Sequence, residues 1–218
     1  VGRLIVIEGL DGAGKRTLAD GLAAELDRRD RSVVRAAFPR YGTDVHADLV
    51  AEALRGAHGD LADSVHGMAV LYALDRHGAA GTVREDLQQH DVVLLDRYVA
   101  SNAAYGAARL RQGADGDFVS WVSELELERF ALPRPDLQIL LQVPTALAAG
   151  RAEQRERSDA ERRRDRFETD SPLQQRCAEV YTELAEAGWW SPWRVVDGAA
   201  RVDFAELADV SLGELTRE

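Results

Sequence analysis

The sequence predicts an α/β domain in which five parallel strands form one sheet between two layers of helices. Three observations lead there. Short runs dense in Val, Ile and Leu recur along the chain, as expected for strands buried on both faces. Longer segments with apolar residues at helical spacing separate them. The first strand runs directly into a glycine-rich turn that opens a helix, IVIEGLDGAGKRTLADGL. Strands that alternate with helices imply right-handed crossovers, and so a parallel sheet covered on both sides.

The elements follow in order. Arg3 to Glu8 (RLIVIE) is the first strand, and the helix beyond the turn carries Leu18, Leu22 and Leu26 on one face. Ser32 to Phe38 (SVVRAAF) is the second strand, stopped by PRYG. Two apolar helices are expected over residues 44–56 and 63–81, the second with Val65, Met68, Ala69, Tyr72 and Ala73 on a continuous face. Asp91 to Asp96 (DVVLLD), Asp136 to Val143 (DLQILLQV) and Trp193 to Gly198 (WRVVDG) complete the sheet. A long helix is expected from Ser171 to Ala187, and Trp189, Trp190 and Trp193 read as a packing cluster before the last strand. With no repeat and no boundary signal, residues 1–218 read as a single domain.

Composition narrows the function. Apolar and charged fractions of 45% and 30% are those of an ordinary globular chain. No run has the length of a membrane span and the N-terminus lacks a signal-peptide layout, so no membrane partner and a cytoplasmic location are expected. A net charge of −11 argues against a nucleic-acid partner, whose backbone needs a broad basic face. Cys177 has no internal partner and reads as a reduced, buried thiol. Of the 27 basic residues 26 are Arg, and the single lysine is Lys15, inside the glycine-rich turn. A compact ammonium where every other cation is a guanidinium points to a chemical requirement at that position.

That turn matches G-x-x-x-x-G-K-[ST] at Gly9, Gly14 and Lys15, but Arg16 stands in the hydroxyl position and Thr17 comes one residue late. Its place between strand and helix supports a phosphate loop, whose amides converge on phosphate oxygens at a helix N-terminus. Thr17 could partly substitute, but a helix turns about 100° per residue, so its hydroxyl need not point the same way. Farther on, Asp96 ends a buried strand, where a carboxylate that holds Mg²⁺ or water is needed; capping the next helix is the alternative. Arg97 follows it, and on the next helix Ser101 and Tyr105 share a face with Asn102 beside it. Residues 151–168 carry seven Arg and six acids with almost nothing apolar. Either they are a solvated segment laced with charge pairs, or an arginine-bearing lid (about 150–168) over phosphates.

GLDGAGK, FPRYG, the LDR of the third apolar helix, DRYVASNAAY and the arginine-rich segment occur here in the order seen in thymidylate kinases. The chain resembles the actinobacterial, mycobacterium-like branch of these phosphate-loop nucleoside-monophosphate kinases over essentially its whole length. LLDRYVASNAAY is the most specific part; adenylate, guanylate and shikimate kinases do not share it. Gly106 departs from the pattern, which more often has a small polar residue or Gln.

The resemblance implies a three-layer phosphate-loop NTPase fold, transfer of the γ-phosphoryl of ATP to dTMP for dTTP synthesis, a need for Mg²⁺, and a homodimer. It implies an ATP site built from Gly9, Asp11, Gly12, Ala13, Gly14, Lys15, Arg16 and Thr17, with Arg151, Arg155 and Arg162 from the lid. Phe38 and Tyr41 would flank the acceptor phosphate and Arg97 would bind it. Tyr72, where the family usually has Phe, would stack on thymine, with Arg76 and Asn102 reading its edge. Tyr105 would crowd the sugar 2′ position, and Asp11 would approach the 3′-hydroxyl. Asp165 and Glu168 would close the far end of the lid, and Asp11, Asp96 and Glu168 would form the metal shell. Lys15, Asp11, Arg97 and Arg155 would carry catalysis. Tyr72 reads equally well as a core residue, a core position is the rival reading of Tyr105, and Arg40, without a role, is expected in solvent. The apolar helices over 44–81 are the expected dimer surface. Other nucleotide kinases, or an ATP switch with no acceptor, are the alternatives.

Overall fold

The computed structural model describes residues 1–158 and 166–214, except for the side chains of residues 155 and 158. Five strands form one parallel sheet in the order β2-β3-β1-β4-β5: β1 (Arg3–Glu8), β2 (Val33–Ala37), β3 (Val92–Asp96), β4 (Leu137–Gln142) and β5 (Trp193–Asp197). The three central strands are the most apolar, and nearly every residue in them is buried. The edge strand β2 keeps only Val33 and Val34 half-buried and exposes Arg35, Ala36 and Ala37.

On one side, α1 (Lys15–Arg28) and α8 (Phe204–Leu212) pack together against the central strands. On the other lie α3 (Val65–Gln89), α4 (Val99–Leu110) and α7 (Ser171–Glu186), with α2 (Val45–Leu54) against α3 and α5 (Asp117–Ser123) against α4. The remaining helix, α6 (Thr145–Ser158), leads from β4 into the arginine-rich segment. A 3-10 turn at Leu61–Asp63 precedes α3, and α5 continues as a π-helical turn at Glu124–Arg129.

α3 runs on to Gln89, past the expected end at residue 81. Gly78 and Gly81 look like stops, but Gly78 lies against α2, where a Cβ would be 3.1 Å from both Arg40 Nη2 and Asp44 Oδ2. The glycine serves close approach rather than termination. α4 is lined with small buried residues, Ala100, Ala103, Ala104, Ala107 and Ala108, which let α7 and α5 come close. A Cβ on Gly106 would stand 2.0 Å from Cε1 of Phe118, so the ring of α5 fills the space the glycine leaves. The tryptophans form the expected packing cluster: Trp189 and Trp190 stack with centroids 5.1 Å apart. Cys177 is buried, and burial raises its thiol pKa.

Candidate active site

The chain leaves β1 for β2 at the sheet edge and returns to β3 beside β1, then continues through β4 on the other side. Strand direction of travel reverses there, so a crevice opens at the carboxyl ends of β1 and β3. Register pairs Ile7 with Asp96, which sets the glycine-rich turn beside the Asp96–Arg97 corner.

In the turn, Gly12 has φ +78, and a Cβ on it would lie 2.1 Å from the Ala148 carbonyl of α6. Gly14, at φ +103, is the N-cap of α1. Both conformations favour glycine. Lys15 folds back, its Nζ donating to the carbonyls of Leu10 (2.9 Å) and Gly9 (3.2 Å). Burial lowers its pKa and the nearby Arg97 charge adds to that, against Asp11. Arg151 donates from Nη1 to the Ala13 carbonyl at 2.9 Å, joining α6 to the turn. Arg16 and Thr17 are exposed on the first turn of α1.

Asp11 is the hub. Its Oδ1 accepts from Arg97 Nη2 at 2.6 Å and its Oδ2 from the Tyr105 hydroxyl at 2.8 Å. Burial alone would raise the carboxyl, but the charges of Arg97 and Lys15 hold it below its ordinary range. Arg97 lies over the Tyr105 ring at 5.3 Å and donates to Ser101 Oγ at 3.0 Å. Its own backbone is left-handed (φ +66), held by a 2.9 Å bond from its amide to the Ile7 carbonyl. A long side chain tolerates that conformation only where its surroundings impose it.

A second buried acid lies beneath. Glu8 accepts from the Tyr98 amide (2.8 Å), Ser101 Oγ (2.6 Å) and the Tyr181 hydroxyl (3.1 Å). Burial pushes its carboxyl up, against these bonds. Sequence reading passed over both Glu8 and Tyr181; an acid inside an otherwise apolar strand was the available signal.

Beside the turn is a cavity of about 280 Å³ lined by Asp11, Phe38, Tyr41, Tyr72, Arg76, Arg97, Asn102, Tyr105 and Glu168, with Pro39, Ser101 and Phe167. The residues expected at an acceptor site thus meet around one space, apart from Asp165, which lies outside the described residues. Arg76 and Asn102 do not stand alone there. Fully buried Glu126, on the π-helical turn, accepts from Arg76 Nε (2.6 Å), Arg76 Nη2 (2.8 Å) and Asn102 Nδ2 (2.9 Å).

Arg40 corrects the expectation of a solvent position. Its guanidinium donates to Asp75 Oδ1 (2.7 Å), the Asp75 carbonyl (2.7 Å) and Asp44 Oδ2 (2.8 Å), so it fastens the FPRYG turn to α2 and α3. The reading of Asp96 as a helix cap is also corrected, because the N-cap of α4 is Tyr98. Asp96 Oδ1 is instead buried, with no hydrogen-bond partner among the described residues. A buried carboxylate oxygen left unpaired at the crevice suits a hard cation or its water shell. Among the described residues no group of three His, Cys, Asp or Glu forms a closed metal site.

The sequence model of the thymidylate kinase family matches residues 7–197. The chain belongs to the thymidylate kinase family. It is 53% identical over 205 residues to the thymidylate kinase of Mycobacterium tuberculosis (strain CDC 1551 / Oshkosh), covering 94% of this chain and 95% of that one. To the thymidylate kinase of Xanthomonas euvesicatoria it is 37% identical over 206 residues, 93% of this chain and 79% of the relative. A probable thymidylate kinase of Thermococcus onnurineus is 32% identical over 203 residues, 91% of each.

Of the lid residues assigned from the thymidylate kinase resemblance, Arg162 and Asp165 lie outside the described residues, as does the side chain of Arg155. Beyond that segment Phe167 is buried under Arg109, whose guanidinium is 4.6 Å from the ring centroid. Arg166 reaches Asp63 Oδ1 at 2.7 Å, and Arg109 Nη2 the Ala62 carbonyl at 2.7 Å, so the strand of chain carrying Glu168 is fixed to the turn before α3. No helix among the described residues is long and apolar enough to cross a membrane.

Proposed function

We propose that the chain transfers the γ-phosphoryl of ATP to dTMP, giving ADP and dTDP for dTTP synthesis, with residues 1–218 acting as one catalytic unit. Membership in the thymidylate kinase family supports the reaction. The observation that carries it is that the phosphate loop and the acceptor cavity share Asp11. Donor and acceptor phosphates then meet at Asp11, Arg97 and Lys15.

The nucleophile is a phosphate oxygen whose second pKa is about 6, so it arrives ionised and needs no general base. The barrier is repulsion between two polyanions and charge on the transferring group, which calls for fixed cationic donors. Lys15 releases its loop carbonyls to reach the outer phosphates. Arg97, preset by Ser101 and its left-handed backbone, takes the acceptor phosphate between Phe38 and Tyr41. Tyr72 stacks on the base, Arg76 and Asn102 meet its edge, and Tyr105 closes the space beside the sugar C2′. Arg151, Arg155 and Arg162 cover ATP, with Arg16 adding charge at the mouth of the loop. Mg²⁺ would be held by Asp96, with Asp11 and Glu168 near, and would supply neutralisation of phosphate charge. The functional unit is a homodimer that pairs the α2–α3 surface.

A coupled ADP-release assay tests the reading. ATP turnover should rise at least a hundredfold on adding dTMP and much less with other monophosphates. Slow hydrolysis that dTMP leaves unchanged would assign the chain to the nucleotide switches instead.

A further inference from the structure

The base end of the cavity is organised by a residue that belongs to no motif. Glu126 sits on a π-helical turn, an uncommon winding that tends to appear at functional sites. It is fully buried, and its two oxygens accept three bonds, two from Arg76 and one from Asn102. Asn102 Nδ2 also donates to the Ala69 carbonyl at 3.1 Å.

These bonds decide what each side chain can offer to a ligand. A side-chain amide has two N–H donors and one carbonyl acceptor. With a carboxylate and a backbone carbonyl as its partners, Asn102 must turn Nδ2 towards them. Both N–H groups are then spent, and Oδ1, an acceptor, is the polar atom left for the cavity Asn102 lines. Arg76 gives Nε and Nη2 to Glu126, which leaves Nη1 as a donor on the same wall. A donor beside an acceptor complements a pyrimidine that carries a 4-keto oxygen next to N3–H. A 4-aminopyrimidine shows the reverse order, an amino donor next to an unprotonated N3, and would meet donor with donor and acceptor with acceptor.

We propose that Glu126 is the positioning residue that fixes the orientation of Arg76 and the hydrogen-bonding polarity of Asn102, and thereby selects 4-keto over 4-amino pyrimidine monophosphates. This rests on the reading, given above, that Arg76 and Asn102 meet the base edge. Without the carboxylate only the Ala69 carbonyl still holds Nδ2, so the Asn102 amide can turn over at the cost of that one bond and present Nδ2, a donor that suits cytosine N3.

The experiment measures kcat and KM for dTMP, dUMP and dCMP. The unaltered protein should prefer dTMP to dCMP in kcat/KM by a hundredfold or more; a preference under tenfold overturns the proposal without any variant. Glu126→Gln replaces one acceptor oxygen by a donor at constant size. It should lower the dTMP:dCMP ratio by about 5- to 150-fold, the range set by one mispaired buried polar group. The dTMP:dUMP ratio should stay constant, because the two share the same edge, and the change should fall mainly on KM. Glu126→Asp, too short to hold both partners, should lower the same ratio by a smaller factor, and it decides the matter if Glu126→Gln does not fold. A purely architectural Glu126 would lower the melting temperature and the activity on all three acceptors alike, leaving the ratios unchanged; that result overturns the proposal. Asn102→Ala separates the two levels. If it leaves the dTMP:dCMP ratio unchanged, the base-edge reading fails; if it collapses the ratio while both Glu126 variants keep it, only the role of Glu126 fails.

Discussion

Gly106→Ala adds one methyl group in the middle of α4, where alanine should favour a helix by about 1 kcal/mol over glycine. We expect it to destabilise the protein instead. The new carbon would lie 2.0 Å from Cε1, 2.2 Å from Cζ and 2.9 Å from Cδ1 of Phe118. Carbon atoms in contact sit about 3.5–4.0 Å apart, so the ring must retreat by roughly 1.5–2 Å. It has little room, being 1% exposed and set against His66 and Trp121 with centroids 5.2 and 5.4 Å away. α5 must therefore shift. Overpacking of this kind costs about 1–3 kcal/mol, and an overlap this deep against a rigid ring belongs at the upper end. After the helix gain, a net loss of about 1–2 kcal/mol remains, or roughly 2–8 °C in melting temperature for a chain of this size. Calorimetric melts supply the stability, and KM for dTMP should rise too, since Ser101, Asn102 and Tyr105 ride on the same helix. Phe118→Leu in the same molecule should recover part of the loss. A Gly106→Ala protein that melts at or above the parent, or penalties that simply add in the double variant, would refute the reasoning.

Lys15→Ala should lower kcat by about two to three decades, the usual cost of one preorganised transition-state donor, while the Kd for dTMP from calorimetry stays within a few-fold; a loss under tenfold removes Lys15 from the reaction. Tyr105→Phe should keep the preference for dTMP over its ribonucleotide, since the ring and not the 2.8 Å bond to Asp11 fills the space, whereas Tyr105→Ala should narrow that ratio by about 5- to 150-fold. An unchanged ratio beside a lowered melting temperature would make Tyr105 a core residue only. Glu8 is raised by burial above its ordinary 4.5, so the folded chain binds its proton more readily than the unfolded one. Its contribution to stability therefore falls as pH rises from about 4.5 through the folded value, and Glu8→Gln should flatten that part of the melting-temperature profile; superimposable profiles would exclude the linkage.

The sheet was legible because strands buried on both faces must be continuous apolar runs, and all five expected runs contain a strand. The phosphate loop was legible for a similar reason, since close backbone approach admits few residues but glycine. What sequence left hidden depends on partners far along the chain. Glu126 lies in SELELER, which by composition is a solvated helical stretch; only the π winding and two donors from α3 and α4 explain an acid there. Arg40 looked solvent-bound because its partners Asp44 and Asp75 are on other elements. Glu8 was counted as the end of a strand, although the three donors around it come from β3–α4 and α7. The helix expected over 63–81 runs on to Gln89, and Gly78 within it serves close contact with Arg40 and Asp44, a role its sequence context does not show.

Lys15 is the only lysine in the chain, and its amine is held against two carbonyls behind the phosphate loop. Amine-directed reagents therefore have one side-chain target, and it lies in the loop proposed to hold the phosphates. Burial and the neighbouring guanidinium favour loss of its proton, which is the form that attacks an acyl donor or an aldehyde. A small anionic aldehyde should modify that nitrogen, and a nucleotide seated in the loop should shield it. The exposed α-amino group of Val1 is the other amine, so the mass increment on the Lys15 peptide alone, followed against nucleotide concentration, would read occupancy of the loop.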